Sequence, residues 1–81
     1  MIYVDTLQRY GSWRWGPSCH LTADTLEELH EFAESLGLQR QWFQPKRPHY
    51  DLTKAKRKLA VRLGAKEVAS RELLEVCRRC C

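Results

Sequence analysis

From Asp24 to Leu38 the chain carries one apolar stripe at helical spacing, and this segment constrains the fold more than any other. Thr25-Leu26-Glu27-Glu28 has capping-box spacing, with Asp24 or Thr25 as the cap. Leu26, Leu29, Phe32, Ala33 and Leu36 fall on one face, while Glu27, Glu28, Glu31 and Glu34 make the outer surface acidic. Gly37 supplies a left-handed end, and Leu38 follows where a capping apolar contact is usual. A helix apolar on one side only needs a second layer to cover that side.

The preceding residues alternate with the period of strands. Ile2-Tyr3-Val4-Asp5 puts Ile2 and Val4 on one side and Tyr3 and Asp5 on the other. Cys19-His20-Leu21-Thr22 likewise sets Cys19 and Leu21 against His20 and Thr22. Downstream, Trp42-Phe43 is expected to anchor its segment on the core, and Pro45 and Pro48 hold residues 44–50 extended. A second helix is expected from Thr53 to Leu63, with Ala55, Leu59 and Leu63 inward and Lys54, Lys58 and Arg62 on another face. Glu67-Val68-Ala69 reads as a third strand. Ser70 caps a last helix with Leu73, Leu74 and Cys77 inward. The expectation is one small α/β domain over 1–76, with a mostly three-stranded sheet, three helices and the order β-β-α-α-β-α. Residues 77–81 are expected to fray as a cysteine-rich tail.

With 81 residues the chain is near the lower limit for independent folding, so a homodimer is a reasonable expectation. Hydrophobic and aromatic contents of 43% and 10% argue against disorder. No apolar run is long enough to span a bilayer, and the start does not read as a signal peptide. Four cysteines, three of them at Cys77, Cys80 and Cys81, are not spread as a secreted disulfide scaffold would require. The expected location is the cytoplasm, with no membrane partner.

The net charge of +4 is unevenly placed. Residues 45–66 hold eight basic side chains and one acidic, for +7, whereas residues 1–44 sum to −3. That asymmetry suits an anionic small molecule, a nucleic acid, or pairing between unlike patches. No nucleic-acid motif or phosphate-cradling glycine loop is present.

The candidate catalytic groups are Asp5, His20, His49 and Asp51. Asp5 ends the first strand, where α/β ligand sites concentrate, and could orient His20. His49-Tyr50-Asp51 lies between a proline-stiffened loop and a helix start, where Asp51 also reads as a cap. A ligand pocket is expected from Asp5, Arg14, Trp15, His20, His49, Tyr50, Asp51 and Arg62. His30, on the apolar side of its helix, reads as structural. Cys19 points away from His20, so His20 is not its base. No His-x-x-x-His spacing or second Cys-x-x-Cys occurs, so neither a metal centre nor a cofactor is expected.

A spaced series runs through Val4-Asp5, Gly16-Pro17-Ser18-Cys19-His20-Leu21, residues 23–33, Trp42-Phe43-Gln44, Pro48-His49-Tyr50-Asp51-Leu52 and Leu63-Gly64-Ala65. Over residues 2–75 this series resembles a family of small bacterial and phage proteins, domain of unknown function 4031. The resemblance implies these fold boundaries and a bacterial or phage-infected setting, with no activity to carry over.

Three functions follow as expectations. The leading one is binding of an anionic ligand, such as a nucleotide or nucleic-acid end, in the His/Tyr/Asp pocket. The alternatives are a small hydrolase or phosphodiesterase using His20 and His49, and a protein-interaction module presenting Trp13 and Trp15 to a partner.

Overall fold

The computed structural model describes residues 1–8, 17–45 and 48–79, with Arg79 described by its backbone alone. Strand β1 (Ile2–Val4) is followed by β2 (Ser18–Ala23), α1 (Leu26–Ser35), a 3-10 turn (Arg40–Trp42), β3 (Tyr50–Thr53), α2 (Lys54–Arg62), β4 (Lys66–Glu67) and α3 (Ser70–Arg79). The sheet order is β3-β2-β1-β4, with antiparallel β1–β2 and β2–β3 pairs and a parallel β1–β4 pair.

The sheet thus has four strands where the pattern suggested three. The added strand is β3, which contains Asp51, the residue expected to cap a helix. Asp51 instead pairs with His20 in the β2–β3 ladder, and Thr53 caps α2 by accepting from the Lys56 N–H at 3.2 Å. The expected strand at 67–69 is shorter and earlier, at Lys66–Glu67.

One face of the sheet carries Val4, Cys19, Leu21, Tyr50 and Leu52, all buried against α1 and α2 through Leu29, Ala33, Leu36 and Ala60. Burial of a leucine of this kind stabilises the fold by roughly 1.5–3 kcal/mol. Thr25 caps α1 through its hydroxyl, and Gly37 follows it at φ 78°. The ammonium of Lys56 donates to the carbonyl of Leu36, placing a cation where helix carbonyls lack partners.

A second difference concerns the side that α2 turns inward. The inward side of α2 passes through Ala60 and the half-buried Lys56, Arg57 and Leu59, leaving Ala55 exposed and Leu63 51% exposed. Lys54, Lys58 and Arg62 face solvent. Trp42 is also exposed, so Phe43 alone anchors its segment, against the rings of His30 and Tyr50.

Helix α3 covers the other face. Leu73, Val76 and Cys77 are buried beneath it, while Leu74 is half-buried. The helix continues to Arg79; Cys80 and Cys81, the rest of the expected tail, lie outside the described residues. None of the described helices is long and apolar enough to cross a membrane.

Candidate functional site

The period of two places His20 and Thr22 of β2 on the α3 side, together with Asp51 of β3 and His49 just before it. Asp5, directly after β1, continues this face. Its carboxylate is 1% exposed and fully engaged. Oδ1 accepts the backbone N–H of His20 at 2.7 Å, and Oδ2 meets Nδ1 of the same ring at 2.8 Å. The Ser70 hydroxyl, at the start of α3, donates to Oδ2 at 3.2 Å. A buried carboxylate this well satisfied holds its partners in one geometry.

With Nδ1 held by Asp5, Nε2 of His20 turns towards Asp51 Oδ1, 3.7 Å away. His49 Nε2 lies 3.5 Å from the same oxygen, and the two imidazoles meet edge to face with centroids 5.1 Å apart. Asp51 Oδ2 accepts from the Gln44 side-chain amide at 2.8 Å. A cleft of about 200 Å³ opens beside these rings, walled by Asp5, Gln8 and Ser70 at one end and by Leu73, Leu74 and Cys77 of α3. The hydrogen bond to Asp5 raises the His20 pKa above its usual 6.5, with burial opposing the change. The carboxyl pKa of Asp51 is lowered, chiefly by His49, again against burial.

Four expected residues therefore meet: Asp5, His20, His49 and Asp51. Tyr50 does not join them, because its position in the ladder turns it to the opposite face. There its hydroxyl meets His30 Nδ1 at 2.8 Å, and burial raises its pKa. Arg62 is exposed on α2, across the sheet from the cleft. Arg14 and Trp15, and with them Trp13, lie outside the described residues. Cys19 is fully buried with its thiol pushed up to about 12, mainly by desolvation, which leaves no thiolate for nucleophilic work.

Sequence reasoning missed Ser70, Gln8 and Gln44. Gln8 bridges to Ser18 through two backbone bonds of 2.8 Å and donates its amide to Ser70 at 3.3 Å. Ser70 reads in the sequence only as a helix cap and Gln44 only as part of the spaced series; these two and Gln8 act through partners 7 to 65 residues away. Chemically, the arrangement offers two imidazoles and a carboxylate around one point. Among the described residues, one nitrogen from each of His20 and His49 and one oxygen of Asp51 lie within 4.8 Å of one another.

A family model described as a protein of unknown function, DUF4031, matches residues 2–80. The chain belongs to that family. Neither a curated protein nor a solved structure matches it.

Proposed function

We propose that the cleft binds and hydrolyses a small phosphoester, with nucleotides as the favoured substrate class. The carrying observation is the pair of imidazoles 5.1 Å apart, one of them aligned by a buried carboxylate. In this reading His49 takes a proton from the attacking water while the new P–O bond forms. His20, held protonated by Asp5, gives its proton to the leaving oxygen as the old P–O bond breaks. Leu73 and Leu74 offer an apolar wall for a base or aromatic leaving group. Arg57 donates its Nε to the Asp5 carbonyl at 2.9 Å and its Nη2 to Glu67 at 2.9 Å, bracing the Asp5 backbone from the α2 side. The setting proposed with it is the cytoplasm of a bacterium or an infected cell, in line with the buried free thiol of Cys19.

Purified protein should release product repeatedly from aryl phosphomonoesters or diesters, assayed with and without added divalent cations. His20→Ala and His49→Ala should each lower the rate by about 10²–10⁴-fold, the usual size of an acid–base contribution. Equal rates in wild type and both variants remove the reading. Saturation at one equivalent without product would instead favour anionic-ligand binding in the same cleft, for which the apolar wall of α3 is the supporting feature.

A further inference from the structure

We propose that His20, His49 and Asp51 hold a divalent transition-metal ion of the zinc class. The inference rests on the same cleft as the hydrolytic reading, and deepens it by naming what the three side chains converge on.

The geometry comes from adjacent strands. His20 and Asp51 are register partners on β2 and β3, and His49 lies two residues before Asp51, so all three project from one face. Their nitrogens and oxygen sit within 4.8 Å of one another, with 3.7 and 3.5 Å from Asp51 Oδ1 to the two Nε2 atoms. Bonds of about 2.0–2.1 Å in a tetrahedral site put ligand atoms about 3.3 Å apart. Small side-chain rotations therefore suffice to close the trio around an ion.

The surrounding hydrogen bonds strengthen the case. Asp5 takes Nδ1 of His20, the arrangement that fixes a ligating histidine with its other nitrogen turned to the metal. Gln44 takes Oδ2 of Asp51 and leaves Oδ1 facing the two rings. His20 and Asp51 thus each have an outer partner on the atom that would not bind. Three protein ligands beside a cleft leave a coordination position for water or substrate, as catalytic rather than structural sites do. Two imidazoles and a carboxylate suit zinc, iron(II) or manganese. On this assignment both imidazoles are ligands rather than base and acid: a bound ion would supply the activated water, and the leaving oxygen would take its proton from solvent.

The test is a Co²⁺ titration of the full chain, read by visible absorption and by calorimetry. Wild type is expected to bind one equivalent. His20→Ala, His49→Ala and Asp51→Asn should lose binding, and Asp5→Asn should weaken it by about 10–100-fold, as loss of an outer partner does. Circular dichroism checks that each variant is folded. As a variant-free measurement, Zn²⁺ should protect His20 and His49 of wild type from diethyl pyrocarbonate, mapped by mass spectrometry. Cys80→Ser with Cys81→Ser should bind as wild type does. No stoichiometric binding, binding that survives His49→Ala in a folded protein, or loss of binding with the two cysteines overturns the site. Turnover that persists in chelator with no Co²⁺ binding overturns the metal and leaves acid–base hydrolysis standing. Binding without turnover upholds the metal and removes the hydrolytic reading.

Discussion

The two faces of the sheet each hold a histidine whose Nδ1 lies 2.8 Å from an oxygen, and the two rings are driven in opposite directions. On the α1 side, His30 meets the neutral Tyr50 hydroxyl and packs on Phe43, and burial lowers its pKa with help from Arg40. On the α3 side, His20 meets the Asp5 carboxylate, and that hydrogen bond outweighs burial and raises its pKa. The ring and the bond length are the same. What differs is whether the partner carries a charge that the imidazolium can answer. A neutral partner in apolar surroundings makes a structural histidine, whereas a buried carboxylate makes one poised to hold a proton or a cation.

The largest expected break in this comparison is Asp5→Ala. It strands the His20 N–H and the Ser70 hydroxyl and should cost about 3 kcal/mol, read as a shift in the urea midpoint. Tyr50→Phe, which removes only the hydroxyl facing His30, should cost about 1 kcal/mol. Equal losses would mean that the carboxylate organises its face no more than a phenol does.

The smallest effect is on pH, because the two histidines oppose each other. His20 has a folded pKa above the ordinary 6.5, so its stabilisation is complete below that value and is lost as pH rises through the folded pKa. His30 has a folded pKa below 6.5; its contribution is complete above 6.5 and is lost as pH falls towards the folded value. The groups facing His20 are Asp5, Asp51 and His49, and those facing His30 are Tyr50 and Arg40. Urea midpoints measured in chelator between about pH 5 and 8, the histidine range, should peak in the middle. His30→Gln should flatten the acid limb and His20→Gln the alkaline one. A single monotonic slope left unchanged by either substitution would contradict the assignment.

Much of this was legible in the residues, for local reasons. The Thr25 cap, the Leu29 and Ala33 stripe and the Gly37 terminus are all encoded within one short segment. The alternation in Cys19–Thr22 also told which side His20 would take. The site was half visible, since Asp5, His20, His49 and Asp51 could be singled out by type and place. Two things were hidden because they depend on distant partners. Strand β3 is four residues long and follows two prolines, so Asp51 before a helix looked like a cap. The metal trio has no spacing along the chain to reveal it; its spacing runs across the β2–β3 ladder. The same ladder removes Tyr50 from the site, since one step along a strand changes faces.

The carbonyl of Pro48 accepts two hydrogen bonds, from the Thr22 hydroxyl at 2.7 Å and from the Cys77 thiol at 3.4 Å. The short bond ties the loop to the floor of the molecule and the long, weak one ties it to the roof. One backbone oxygen, on the residue before His49, is thereby joined both to the sheet and to the helix that walls the cleft.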